Sequence, residues 1–337
     1  MNPRMTVVLS PAQLCEGLER FEDCAILVVG DVIMDEFLWG RVNRISPEAP
    51  VPVVNVVRES LMLGGAANVV HNIAALGGKA LLCGVIGQDR MGREVRRLLG
   101  ELGLPTHGLL ADPERPTTIK TRVVAHSQQV VRVDREDCRP LAEHNTLKML
   151  ETIGAEINTC QAVIIADYGK GVVTQQLMDG ILEMAREADI MVGVDPKERN
   201  FDLYRHVTFI TPNNDEAATM AGIAVHDDDS LAQAGRRLLE ELHCRLVLIT
   251  RGQAGMTLFE GNGNVTHVPT EAKKVFDVSG AGDTVISTFT LGLAAGFSPE
   301  QSAVLANFAA GIVVAEVGTA TVSAAQLKRV LRNSRQS

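Results

Sequence analysis

The sequence predicts a doubly wound α/β fold, a mainly parallel sheet with helices on both faces, and three observations lead there. First, several short runs are apolar without alternation: 25–31 (AILVVGD), 162–167 (AVIIAD), 190–195 (IMVGVD), 207–213 (VTFITPN) and 245–252 (RLVLITRG). A strand wetted on one side would alternate, so these read as parallel strands covered on both faces. Second, helical patterns fill the gaps, as at 174–187 and 229–242. Third, each run closes on a polar residue: Asp31, Asp167, Asp195, Asn213 and Thr250. Ligands of such sheets bind beyond the carboxyl ends of the strands, so these positions are expected to share one crevice.

The remaining elements follow along the chain. VPVVNVVRES (51–60) supplies a further strand, and TTIKTRVVAHSQQVVRVD (117–134) reads as a hairpin with Lys120 and Arg122 on the face opposite Ile119 and Thr121. Segments 41–60 and 117–134 thus form a small antiparallel sheet inserted in a single domain, half exposed, serving as a lid or a subunit contact. Near the C-terminus Ser298, Pro299 and Gln301 form a capping signature that starts a helix running to about Gly318. On it Asn307, Ala310, Gly311 and Val314 share one face of small residues, suited either to close helix packing or to a flat ring. Before it lies DVSGAGDT (277–284), whose glycines and Asp283 read as a helix-starting turn or as an anion cradle at a helix N-terminus. In the second reading Asp283 repels the ligand it adjoins, a cost that points to proton abstraction.

Composition narrows the function. The 337 residues carry 41 Asp and Glu against 32 Lys and Arg, a net charge of −9 that argues against nucleic acid as partner. The six cysteines show no CxxC or Cys/His spacing and read as buried thiols in a reducing cytoplasm. No N-terminal leader pattern is present, and no run reaches the ~18 apolar residues of a membrane span.

GDVIMD at the first strand, GGAANVVHNIAALGG (64–78), TPNNDE (211–216), TRGQAG (250–255) and GAGD followed by Thr284 together resemble the ribokinase-like, or PfkB, carbohydrate kinases over nearly the whole chain. NRISPEAPVPVV (43–54), ADYGKG (166–171) and VDPK (194–197) are similar to the bacterial kinases of D-glycero-β-D-manno-heptose 7-phosphate. Those enzymes phosphorylate the anomeric C1 oxygen on the way to ADP-heptose for the lipopolysaccharide inner core. With no HxGH motif after the kinase-like helices, the expectation is the stand-alone kinase.

The resemblance implies roles residue by residue. Asp283 matches the catalytic base, and Gly280, Ala281 and Gly282 the anion hole, which agrees with the chemistry of phosphoryl transfer: alignment, charge stabilisation and an acceptor for the nucleophile's proton. Asn213 and Glu216 match the pair that orders ATP phosphates and Mg²⁺, the latter through water, although NNDE alone reads as a helix cap with an acidic first turn. Thr250, Gly252 and Gly255 match the nucleotide loop, and Asn307, Gly311 and Val314 the adenine-side helix. For the sugar, Asp35 matches the hydroxyl-binding acid with Asp31 as companion, and Gly64, Gly65 and Asn68 match the GGxxN segment. The C7 phosphate demands cations, and Lys120, Arg122, Lys170 and Lys197 are the candidates, Arg122 and Lys170 foremost. Lys120 and Arg122 also fit the wet face of a lid. The resemblance implies a homodimer through the lid.

Three rival functions remain at this stage. A kinase of another sugar shares every motif above. A nucleotide-binding oxidoreductase shares the parallel strands, but VVGDVIMD lacks the GxGxxG fingerprint. A non-catalytic sugar-phosphate sensor is disfavoured by the intact Asp283.

Overall fold

The computed structural model describes residues 11–333 apart from 127, 271–277 and 317, so Asp277 of the glycine-rich motif lies outside the described residues. Its strands, in chain order, are β1 (Ala25–Ile45), β2 (Pro52–Gly65), β3 (Lys79–Gly87), β4 (Leu109–Asp112), β5 (Thr118–Ala125) and β6 (Gln128–Arg135). They continue with β7 (Ala162–Ala166), β8 (Met191–Asp195), β9 (Phe209–Ile210), β10 (Leu246–Thr250), β11 (Met256–Glu260) and β12 (Val265–Val268). The main sheet runs β12-β11-β10-β9-β8-β7-β1-β3-β4, parallel from β10 to β4 and antiparallel at β11 and β12.

Both faces of this sheet are covered, which explains the unbroken apolar runs. In β1, Ile26 and Val28 enter one core while Leu27 and Val29 enter the other, and all four are essentially inaccessible. The first core is built by α1 (Pro11–Gly17), α2 (Ala66–Ala75) and α3 (Arg90–Glu101) from one part of the chain. The second belongs to α4 (Glu143–Glu156), α5 (Gln175–Glu187), α6 (Asn214–Ala221) and α7 (Asp228–Leu242). Returning to the first side are α8 (Ala281–Ala294), α9 (Pro299–Val313) and α10 (Ala324–Asn333). α8 is buried on nearly every side, so its apolar run has no wet face, and the hydroxyls of Ser287 and Thr290 bond to carbonyls four residues back. The Phe289 ring meets Phe209 edge-on at 5.1 Å, locking α8 against β9.

Several boundaries differ from expectation. The first strand does not stop at Asp31 but continues for 21 residues, exchanging partners as it goes. Up to Asp31 it pairs with β3; from Val32 it pairs antiparallel with β2, and from Ile33 parallel with β5. The lid therefore begins near residue 33 rather than 41, and it is a mixed sheet, since only β1–β2 and β5–β6 are antiparallel. The helix at 299 ends at Val313, not near Gly318, with Val314 as its C-cap, while the Ser298/Gln301 capping box forms as expected. Among the described residues no helix is long and apolar enough to cross a membrane.

Candidate active site

The carboxyl ends of β7, β8 and β10, the N-terminus of α8, and the inner face of the lid surround one cleft of about 1360 Å³, room for more than one small ligand. Of the strand-end residues read from sequence, Asp167, Asp195, Asn213 and Thr250 line it; Asp31 does not.

At its centre is the start of α8. Gly280 is the N-cap in left-handed conformation (φ 78°), and no side chain caps the helix. The N–H of Ala281 closes a turn onto the Val278 carbonyl at 3.2 Å, leaving those of Gly280 and Gly282 without a backbone partner among the described residues. A Cβ on Gly282 would meet the Asp195 carboxylate at 3.7 Å, an ordinary contact, so packing among the described residues does not require glycine there; its bareness keeps the cleft open beside the amides. Oriented N–H groups at a helix N-terminus attract an anion, and a phosphoryl group fits this cradle.

Asp283, in the first turn of α8, is 4% exposed. Its Oδ2 accepts a 2.6 Å hydrogen bond from Asn68 Nδ2, and its Oδ1 accepts one from the Tyr168 hydroxyl. Burial pushes its pKa up to about 6, held there against further rise by the Tyr168 and Asn68 hydrogen bonds. A carboxylate that ionises near 6 is a competent base at neutral pH. Asn68 is itself fixed: Asn72 Nδ2 donates to its backbone and side-chain oxygens, and Thr284 Oγ1 donates to Asn72 Oδ1 at 2.8 Å. Asn68 is fully buried and holds the Asp283 carboxylate; it does not line the cleft, contrary to the expectation that it meets the sugar.

The lid forms one wall of the cleft. Lys120, Arg122 and Asp35 face the cleft from β5 and β1, as their register predicts, while Thr121 bonds Glu36 on the other face. Arg122 is paired with Asp35 and stacks over the Phe37 ring at 5.4 Å. Lys170 is paired with Glu136 at 2.6 Å. Among the described residues Lys120 has no ion pair; its ammonium lies 5.8 Å from the Tyr168 ring centroid, and burial lowers its pKa. Lys120 and Arg122 are therefore not a wet face. Gly65 lines the cleft, whereas Gly64 makes room for Asp35: a Cβ on Gly64 would lie 2.2 Å from Asp35 Oδ2.

Asp31, read as a sugar ligand beside Asp35, has another task. It is 1% exposed, and its carboxylate accepts the N–H groups of Tyr168, Lys170 and Val172 at 2.9, 2.9 and 3.1 Å. It thereby shapes the turn after β7, with backbone donors on both of its oxygens and its carboxylate shut away from the cleft. Asp167 continues the same device, accepting from Gly169 N, Asn200 Nδ2 and Tyr204 Oη.

At the α6 end of the cleft, Asn213 and Glu216 form the capping box of α6, Asn213 Oδ1 accepting from Glu216 N and Glu216 Oε2 from Asn213 N, both at 3.0 Å. Lys197 bridges Glu216 at 3.3 Å and Glu198 at 2.7 Å, so its charge is already matched by carboxylates. Thr250, Gly252, Gly255, Asn307, Gly311 and Val314 all line this end. Gly255 is held by geometry, since a Cβ would lie 2.1 Å from the Val268 carbonyl. Asn307 donates to the Pro269 carbonyl at 2.7 Å and ties α9 to the loop beyond β12.

Sequence reasoning missed Tyr168 and passed over Asp195 as a site residue. The chain has only two tyrosines, and both hydroxyls donate to carboxylates of this region, Tyr168 to Asp283 and Tyr204 to Asp167. Their rarity beside aspartate-rich strand ends was the available signal.

A buried carboxylate in the first turn of a helix with a bare N-terminus, both lining one polar cleft, fits a phosphotransferase with an alcohol group as acceptor. Comparison with known proteins agrees. A family model described as pfkB family carbohydrate kinase matches residues 25–326. The bifunctional protein HldE of Citrifermentans bemidjiense is 47% identical over 305 residues, covering 90% of this chain and 63% of that protein. HldE of Geobacter sulfurreducens is 44% identical over 301 residues, covering 89% and 61%. The chain thus spans about three fifths of the length of these relatives. Among solved structures, phosphofructokinase-2 of Escherichia coli in complex with substrates and products aligns with TM-score 0.79 and 18% identity over 93% of this chain and 100% of that one. Arabidopsis thaliana ribokinase complexed with ribose and ATP gives 0.73 and 17% over 92% and 99%. The chain belongs to the pfkB family of carbohydrate kinases, and its fold is ribokinase-like.

Proposed function

We propose that this kinase transfers the γ-phosphoryl group of ATP to the anomeric C1 hydroxyl of D-glycero-β-D-manno-heptose 7-phosphate, giving the 1,7-bisphosphate used toward ADP-heptose and the lipopolysaccharide inner core. The observation that carries the reading is the placement of Asp283 beside the Gly280–Gly282 amides, with three half-buried cations, Lys120, Arg122 and Lys170, lining the same cleft. The sugar oxygen bonds to phosphorus, the bond to the ADP oxygen breaks, and the hydroxyl proton passes to Asp283. Gly280 and Gly282 amides stabilise the charge that develops on the transferred group. A neutral sugar has no use for Lys120, Arg122 and Lys170; a second phosphate does, with Arg122 and Lys170 exchanging Asp35 and Glu136 for it.

Mg²⁺ fits this site only in hydrated form. Both Glu216 oxygens are engaged, and the described residues offer no cluster of three acids, histidines or cysteines. Glu216 would hold the ion through water while ATP oxygens supply the rest, and the ion would neutralise phosphate charge. The lid leaves Val56, Val57, Val131 and Val133 exposed, which supports a homodimer formed through this sheet, to be tested by light scattering. The cysteines are free thiols, which agrees with a cytoplasmic protein.

The test is ADP release measured across phosphorylated and free sugars. Turnover with heptose 7-phosphate well above that with ribose, fructose or unphosphorylated heptose supports the reading; equal or better turnover with a free sugar refutes it.

A further inference from the structure

The two oxygens of Asp283 are guarded unequally. Asn68, on Oδ2, is fully buried and clamped through Asn72 to Thr284, so that side cannot open without disturbing α2 and α8 together. Tyr168, on Oδ1, is half-buried and lines the cleft; its backbone is pinned by Asp31, but its side chain projects from a turn with left-handed glycines at 169 and 171. An incoming hydroxyl must therefore reach Oδ1, where a phenolic hydroxyl already sits. Lys120 lies over the ring of that same tyrosine. The remaining groups facing the base are Asp35 of β1 and Asp195 of β8, both acids.

We propose that Tyr168 is a positioning residue that occupies the place of the acceptor hydroxyl on Asp283 until sugar displaces it, and so denies the base to water. This rests on the reading of Asp283 as the base. Without such a guard, water bound at Oδ1 gives up its proton to Asp283, its oxygen bonds to the γ-phosphorus, the bond to ADP breaks, and ATP is spent without sugar. A kinase whose anion cradle is preformed, as the Gly280–Gly282 turn is, carries that hazard whenever nucleotide binds first. Tyr168 remains protonated at working pH, because burial and the facing carboxylates push its pKa well up, so the guard does not dissolve with pH.

The experiment is Tyr168→Phe, which keeps the ring and deletes the hydroxyl, assayed for ADP release without sugar and for the pH dependence of kcat/KM with sugar. Sugar-free hydrolysis is expected to rise about tenfold, the weight of one hydrogen bond to a charged group. The acid limb of the profile is expected to move to higher pH, since the lost hydrogen bond favoured the carboxylate. Either reading left at the wild-type value overturns the proposal. Sugar-dependent turnover in the same sample reports folding. In Tyr168→Phe/Asp283→Asn the extra hydrolysis must vanish; if it persists, it does not pass through Asp283 and the guard is refuted. Full sugar turnover in Asp283→Asn alone would instead refute the reading of the base.

Discussion

Asp31 and Asp283 look alike by every local measure: both follow or precede glycine, both are buried, and burial pushes both pKa values to about 6. Their surroundings differ. Asp31 accepts three backbone N–H groups and does not line the cleft, whereas Asp283 is held by two side chains, one of which lines the cleft with it. A perturbed carboxyl is thus no sign of catalysis by itself. The kind of partner decides: backbone donors fix a turn, while side-chain donors can yield to substrate.

The largest expected effect separates the two directly. Asp283→Asn lowers sugar-dependent turnover at least about 100-fold with ATP affinity retained, as steady-state assay and calorimetry would show. Asp31→Asn acts through the fold instead, because an amide NH₂ then confronts a backbone donor; denaturant unfolding should report a loss on the order of 1–3 kcal/mol. Stability against pH adds a second readout. A carboxyl whose folded pKa is raised stabilises the folded chain fully below its unfolded value near 4, and that contribution is lost as pH rises through about 6. Ionised Asp283 therefore costs up to about 3 kcal/mol at pH 8. Asp283→Asn is expected to raise the thermal midpoint at pH 8 and to leave it level with wild type at pH 4. Activity should follow the same group, kcat/KM falling below about pH 6 as Asp283 takes up its proton. Smaller effects belong to the cations: Arg122→Ala and Lys170→Ala should each raise KM for the phosphorylated sugar about tenfold, and KM for its unphosphorylated form much less.

How far the sequence could be read follows from the range of the forces involved. The main sheet was legible because burial on both faces leaves a local trace, the unbroken apolar run. The start of the lid was not, because Val32, Ile33 and Met34 continue that run while β1 trades β3 for β2 and β5, an exchange decided by chain segments far away. The helix from 299 was overextended because no residue before Gly318 announces its stop, although from Ala315 the N–H groups bond three residues back instead of four. Asp283 and the glycines before it were legible as a local turn. Tyr168 was not: its partner lies 115 residues away, and nothing in ADYGKG says where the hydroxyl points. Asp31 was misjudged for the same reason, since the residues that consume its oxygens are 137 to 141 positions distant.

The most direct test of the central claim is a structure with the sugar phosphate and a non-hydrolysable ATP analogue bound. The account predicts the acceptor oxygen about 2.6–3.2 Å from Asp283, the Tyr168 hydroxyl displaced, and the terminal phosphate on the Gly280 and Gly282 amides. A sugar hydroxyl bound elsewhere, with Asp283 still closed by Tyr168, would contradict it.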